Sequence, residues 1–450
     1  RGHGVRCNGI PLDLAIPTLP GILADAGYST FNAGKVHLQP TQDSPGVDPA
    51  ELPPELAVEN RSRWRAGLTT ATPGGYYGFQ RCETTLGHGP SIEGDYGQWL
   101  RREHPDALDA HCNRQGYVIA HPDMPQCYSW AIPQELHHSW WVADRTIDFL
   151  EAQQGASKPF FAVCSFPDPH HPFVAPKPWC DKYDRSRVPM PVRREGELDR
   201  MPPHYPEHAA TSPVPGRPGE TQPMTEEHLR ECIALTYGAV SFIDHNVGRM
   251  LDRLDALGMA ENTIVVFTSD HGELLGDHGL MRKGPFLYRS LTRVPLIVRH
   301  PEGRPGTVCD SIASHLDIAP TLLDCAGVDY PDRDRFQTQT EGQEPPALPG
   351  RSIKPLLTGE TAAIRERALV EFDRDRMGMR LRSLVTERFR VTIYSGEPYG
   401  ELFDLEHDPD ELHNLWDEPS AGDLKALAMS SLLAEEVATE STLPRRRTCW

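Results

Sequence analysis

Apolar positions along this chain alternate between helical spacing and short continuous runs. Thr18-Leu-Pro-Gly-Ile-Leu-Ala-Asp-Ala-Gly27 reads as a short helix closed by glycine, with Tyr28–Ala33 as the strand that follows. From Ser139, the residues Trp140, Ala143, Ile147 and Leu150 recur at helical spacing, and the apolar run Phe160–Phe166 then predicts a buried strand. Thr225, followed by Glu226 and Glu227, is set as the N-cap of a long helix whose apolar stripe runs from Ile233 through Tyr237, Val240 and Ile243 to Leu257, with Gly258 closing it. The β-branched run Thr263–Thr268 predicts another strand, and Val294–Val298 a further apolar segment. Helices alternating with buried strands predict an α/β fold with a mostly parallel central sheet sandwiched by helices.

Two stretches break the rhythm. Arg187–Met224 is dense in Pro, Arg and Glu, and Val328–Gly350 is polar with a Pro-rich end, so both read as long surface loops. Beyond Gly350 the texture changes to short strand-like runs, Ala368–Phe372, Met379–Val385 and Phe389–Tyr394, then a polar tail. The expected division is a catalytic α/β domain over residues 1–350 and a small C-terminal α+β domain over residues 351–450.

Composition narrows the partners. With 38% hydrophobic and 24% charged residues, the 450-residue chain suits one large core and a smaller companion domain. Lys and Arg total 45 against 64 Asp and Glu, a formal charge of -19, which argues against nucleic acid or an anionic membrane as partner. An anionic substrate therefore needs a local cationic pocket. No apolar run approaches the roughly 20 residues of a transmembrane segment. The ten cysteines show no C-x-x-C pair and no Cys/His zinc spacing, and they leave the compartment open.

Candidate chemistry collects after the predicted strands. Asp270-His271 follows Thr263–Thr268, at the end where ligands bind in open α/β sheets; the pair can share a divalent metal, or the Asp can simply cap the next turn. Lys283, thirteen residues after Asp270, lies on a Gly-containing loop that can fold back to hold an anionic ester oxygen, unless it is an ordinary solvated lysine. In Gly34-Lys35-Val36-His37, Lys35 and His37 face one side if the segment is extended, offering a fixed charge and a titratable proton, or else two polar tips of an exposed strand end. Prolines at 167, 169 and 172 restrict the backbone around His170 and His171, either of which can act as a general acid or pack on Phe173 and Trp179.

In this order the motifs resemble type I, formylglycine-dependent sulfatases of the alkaline phosphatase-like superfamily. Gly34-Lys35-Val36-His37 is similar to that family's G-K-x-H, Pro169-His170-His171-Pro172-Phe173 to its P-H-x-P-F, Ser269-Asp270-His271-Gly272 to its metal-binding strand end, and Lys283 to the lysine beyond it. Arg293–Ile297, Asp317–Leu323, Gly350–Leu357 and Glu401–Leu415 resemble further family stretches, so the likeness spans nearly the whole chain. It implies hydrolysis of a sulfate monoester by a formylglycine nucleophile and a divalent metal, Ca²⁺ if oxygen ligands dominate, otherwise Mg²⁺ or Mn²⁺.

Carried over residue by residue, the resemblance makes Asp270 and His271 metal ligands, although many relatives have Asn where His271 stands. Lys35 and His37 would orient the nucleophile and the sulfate, and Lys283 would offset charge on the sulfuryl oxygens. His170, with a pKa near 7, would protonate the leaving alcohol, His171 being the weaker choice. No cysteine, Cys7 included, sits in the C/S-x-P/A-x-R maturation motif, no paired Asp follows an initial apolar strand, and Arg1–Val5 resembles the sequence just after that motif. The expectation is an N-terminally truncated chain, inactive alone, lacking its first strand, its nucleophile and two carboxylate ligands. The expected substrate is a sulfated small molecule or carbohydrate, read by Pro40–Thr85 and Arg187–Met224. A phosphonate or phosphate ester hydrolase, or a non-catalytic binding protein on the same scaffold, would carry much the same residues.

Overall fold

The Thr18 hydroxyl accepts the Gly21 amide at 3.2 Å and caps the helix Leu19–Asp25, after which the chain turns back through Gly27, φ 96°, into strand β1, Ser29–Gly34. The computed structural model describes residues 5–42, 47–107, 117–119, 124, 126–211, 224–330, 350–374 and 378–439. Strand β1 is the centre of a parallel sheet between β2, Arg81–Thr84, and a strand Phe160–Ser165, with Phe31 opposite both Arg81 and Ala162. In chain order two strands intervene, β3 (Tyr117–Ile119) and β4 (Cys127–Trp130), which makes Phe160–Ser165 β5; β4 pairs with β3 and with β6, Phe173–Pro176, in a second sheet.

Both faces of β1 are covered, as a parallel sheet requires. On one face Phe31 and Ala33 pack among Tyr96, Trp141 and Phe149, with the Phe31 and Phe149 rings stacked 4.5 Å apart. On the other face, Phe161 and Val163 of β5 pack with Val58, Tyr76 and Phe79. The helix His138–Gln153 starts one residue before Ser139 and is capped by His137, whose Nδ1 accepts the Ser139 amide at 3.1 Å. The long helix Glu226–Ala256 begins at the expected cap, Thr225, and buries Cys232, Leu235 and Ala239 beside Phe173 and Ala175 of β6. No helix among the described residues is long and apolar enough to cross a membrane.

Several expectations need correction. Strand β5 is half-buried along its whole length, because among the described residues only one of its edges is paired to another strand. Strand β7, Val265–Thr268, pairs antiparallel with β8, Leu296–Arg299, in a separate two-stranded sheet that leaves Phe267 39% and Ile297 63% exposed. An apolar run records what a strand can bury; its cover is supplied by other parts of the chain. Arg187–Met224 is not simply loop: it holds the helix His204–Thr211, where Tyr205 is fully buried against Phe286 and Tyr288, while residues 212–223 lie outside the described set. Most of the expected Val328–Gly350 loop, residues 331–349, lies outside it too.

The C-terminal part is an antiparallel sheet of β9 (Arg367–Arg374), β10 (Met379–Thr386), β11 (Phe389–Tyr394) and β12 (Gly400–Asp404), each paired with the next. The helix Gly422–Thr439 lays Ala428 and Leu432 on Leu384, Val391 and Leu402. Residues from before Gly350 enter this sheet's polar core: Tyr205 donates to Glu401 at 2.8 Å, and the Arg289 amide donates to Glu411 at 2.6 Å.

Candidate active site

At the end of β1 the backbone passes so close to β5 that a Cβ on Gly34, φ 108°, would stand 1.8 Å from the Ser165 carbonyl oxygen. Only glycine fits. The Lys35 amide donates to that same carbonyl at 3.0 Å, and the Lys35 Nζ then reaches Asp270 Oδ2 at 2.9 Å. The chain leaves the strand there, so the expected extended spacing of Lys35 and His37 does not hold: His37 is left-handed, φ 61°. The imidazole nevertheless lines the same cleft as Asp270 and Lys283. Burial and then the Lys35 and Lys283 charges hold His37 below its usual pKa, with Asp270 opposing them.

The loop beyond Asp270 folds back as its glycines suggested. Glu273, largely buried, accepts the amides of Leu275 and Arg282, and the Leu274 amide donates to the Arg282 carbonyl at 3.1 Å. Lys283 is thereby returned to the strand end, its Nζ 2.5 Å from His271 Nε2. His271 Nδ1 lies 2.7 Å from the Gly272 carbonyl oxygen, which can only accept, so Nδ1 carries the proton and Nε2 a bare lone pair. That lone pair sits 3.6 Å from Asp270 Oδ2. Burial would raise the Asp270 carboxyl, but Lys35 outweighs it and the pKa falls to about 2. An ionised carboxylate and an imidazole in the metal-binding tautomer, with two ammonium groups drawn onto them, have the donor chemistry to hold a divalent cation.

A second group with metal-like composition, His137, His138 and Asp168, is fully or nearly buried. Its proton arrangement does not suit a metal. Because His137 Nδ1 accepts the Ser139 amide, the neutral ring must carry its proton on Nε2, the atom that would have to bind the ion. Ser139 Oγ donates to Asp168 Oδ2 at 2.9 Å, so the group reads as an anchor tying the Pro167–Pro172 segment to the start of helix His138–Gln153. Burial lifts Asp168 to about 7, against the Ser139 hydrogen bond.

His170 and His171 do not pack on Phe173 and Trp179. Instead the His170 ring lies between His88, at 3.6 Å between centroids, and His171, at 4.1 Å, while Trp179 packs with Phe242 and His245. His170 Nδ1 is 2.6 Å from the His171 carbonyl oxygen, which places its proton on Nδ1 and turns a bare Nε2 outward. Burial, reinforced by Lys283 and Lys35, lowers His170 to about 4 despite that bond, and burial with its neighbours takes His171 to about 3 and His88 to about 2. The value near 7 expected for His170 is thus not the one its surroundings give it.

The structure brings together all six expected residues: Lys35, His37, His170, Asp270, His271 and Lys283 share one electrostatic environment at the strand ends. A cleft of about 2860 Å³ is lined by five of them, all but Lys35, and by Pro40, Asn60 and Arg61 of the segment expected to read the substrate; no described residue of Arg187–Met224 lines it. Sequence reasoning missed His88, Glu59, Glu273 and His315, whose Nε2 lies 2.8 Å from the Ser269 carbonyl oxygen. Each is a single polar residue with no spacing to mark it, three of them in loops and His315 at the start of the short 3-10 helix His315–Asp317.

Comparison with known proteins identifies the family. The sulfatase family model matches residues 3–328, and the model for the C-terminal part of N-sulphoglucosamine sulphohydrolase matches residues 276–438. The uncharacterized sulfatase YidJ of Escherichia coli is 31% identical over 439 residues, 93% of this chain and 71% of that protein. An arylsulfatase of Clostridium perfringens is 28% identical over 412 residues, covering 88% and 73%. Among solved structures, the phosphonate monoester hydrolase of Agrobacterium radiobacter superposes with a TM-score of 0.76 at 26% identity, covering 98% of this chain and 84% of that one. With a family model covering well over half its length and a strand-end site of the matching kind, the chain belongs to the sulfatase family of the alkaline phosphatase-like superfamily, a family of sulfuric ester hydrolases.

Proposed function

We propose that this site hydrolyses a sulfate monoester of a small molecule or carbohydrate, with Lys35, His37 and Lys283 holding the sulfuryl oxygens and His170 protonating the leaving alcohol. The observation that carries the reading is the meeting of two ammonium groups with the Asp270–His271 pair at the strand ends. Two fixed cations in a chain of formal charge -19 supply the local pocket that an anionic ester needs. Asp270 and His271 would hold the divalent metal that family membership implies, Ca²⁺ in our reading with Mg²⁺ or Mn²⁺ as alternatives, and the ion would neutralise charge on the ester oxygens. With a metal held by those two residues, Lys35 and Lys283, which now contact Asp270 Oδ2 and His271 Nε2, would be available to the ester oxygens.

His170 Nε2 is bare and must gain a proton to act as an acid. A bound anionic ester raises its pKa by favouring the imidazolium, and the proton then sits where an alkoxide would need it. The nucleophile in this reading is a formylglycine, and no cysteine here stands in its maturation motif. The fold match to a phosphonate monoester hydrolase supports a second reading in which a phosphonate ester takes the same place. Parallel kcat/KM measurements on an aryl sulfate and an aryl phosphonate monoester decide between them. A sulfate preference is expected; a large preference for the phosphonate overturns the main reading.

A further inference from the structure

Beside the site, one carboxylate has no role in the reading above, and it is the most heavily committed side chain of the region. Glu59 is fully buried, yet Oε2 accepts the His37 amide at 2.7 Å, and Oε1 accepts the amides of Leu38 at 2.7 Å and Gln39 at 3.1 Å and the Tyr76 hydroxyl at 2.8 Å. Three successive amides converging on one anion form a nest, a backbone curl that needs a negative charge inside it. The curl is possible because His37 takes a left-handed φ of 61°, which a side-chain-bearing residue adopts only when its surroundings compel it.

We propose that Glu59 is the positioning residue for His37: by filling the nest, its carboxylate holds residue 37 in the left-handed conformation that presents the imidazole to the ester site. The same segment carries Asn60 and Arg61 on the wall of the cleft, and Gln39 is bound back to it, Oε1 accepting the Val58 amide at 2.8 Å and Nε2 donating to the Glu55 carbonyl at 2.7 Å. Glu59 thereby makes the residues 35–39 and the wall at 55–61 one unit, so that a substrate seated on Asn60 and Arg61 meets His37 at a fixed place. The inference rests on the proposed role of His37 in holding the sulfuryl oxygens, taken here to act as the ester bond breaks.

The test is a double-mutant cycle on the enzyme. In Glu59→Gln the amide oxygen can still serve Leu38, Gln39 and Tyr76, but the NH₂ in place of Oε2 cannot accept the His37 amide. The expected result is a kcat lower by about 10²-fold, the order seen when a catalytic group is misplaced by about 1 Å, with KM changed far less. In the His37→Ala background the same substitution should cost almost nothing more, because its target is already gone. Amide exchange over residues 35–39 should also quicken. Full additivity of the two substitutions, or unchanged exchange, overturns the inference. If His37→Ala leaves kcat intact, the proposed role of His37 fails instead, and the exchange result alone judges the hold that Glu59 exerts. Should Glu59→Gln not fold, Glu59→Asp, which keeps both oxygens and shortens their reach, enters the same cycle under the same criteria.

Discussion

Lys35 donates from Nζ to Asp270 Oδ2 across 2.9 Å, joining the ends of two strands that lie in different sheets and 235 residues apart in the chain. The contact sets the charge state of the proposed metal ligand as well as its place. Replacing Lys35 by Met should return the Asp270 pKa toward the ordinary carboxylate range and remove a cation from the sulfuryl oxygens. A fall in kcat/KM of about 10²–10³-fold is expected, the order found when one stabilising donor is removed from such a site. Because the Asp270 side chain is 60% exposed, little folding stability should go with it, and an unchanged thermal midpoint beside a large kinetic loss is the signature to look for.

Metal dependence follows from the Asp270–His271 pair. Chelation should abolish turnover by the enzyme, and Ca²⁺, Mg²⁺ or Mn²⁺ added back one at a time should identify the ion. His271→Ala is expected to weaken metal affinity by at least 10-fold to 100-fold, the loss typical of removing even an outer partner of a metal ligand. Retention of full activity after exhaustive chelation would remove the metal role from both residues.

How much of this was readable from the chain depends on how local each feature is. Gly34 to His37 and Asp270 to His271 are contiguous, each stands at the end of a β-branched or apolar run, and the structure brings them together. Glu59 and His88 were unreadable because their meaning lies in partners brought by the fold, the His37 amide for one and the His170 ring for the other. Burial was overread for the same reason. Phe267 and Ile297 are apolar and β-branched neighbours fill their strands, but the cover over them is not encoded in β7 or β8 themselves.

The stacked histidines give a pH prediction. His170, His171 and His88 titrate in the folded protein at about 4, 3 and 2, all below the usual 6.5. The unfolded chain takes up protons that the folded chain refuses, so stability should be present above about pH 6.5 and fall as the pH drops from there toward the folded values. Urea denaturation between pH 7 and pH 4.5 measures the slope, and His88→Phe, which keeps a ring against His170, should flatten it. Stability that is level across this range would show that the rings are not held neutral.

Arg390 tests the join between the C-terminal sheet and the rest of the chain. Its guanidinium is almost completely buried, donates to Glu401 Oε2 at 2.8 Å and pairs with Glu411, while the Arg289 amide and the Tyr205 hydroxyl reach the same two carboxylates from before Gly350. Removing this cation strips two buried carboxylates of the charge they pair with, and a buried charge without its partner costs far more than the pair contributes. Arg390→Met should therefore destabilise the fold by about 3–5 kcal/mol, read from the shift in urea midpoint at constant slope. Because Tyr205 belongs to the helix packed under Phe286 and Tyr288, the loss should be felt by the whole molecule in a single transition. Two separated transitions, with the C-terminal sheet melting first, would show instead that this network stabilises only its own sheet.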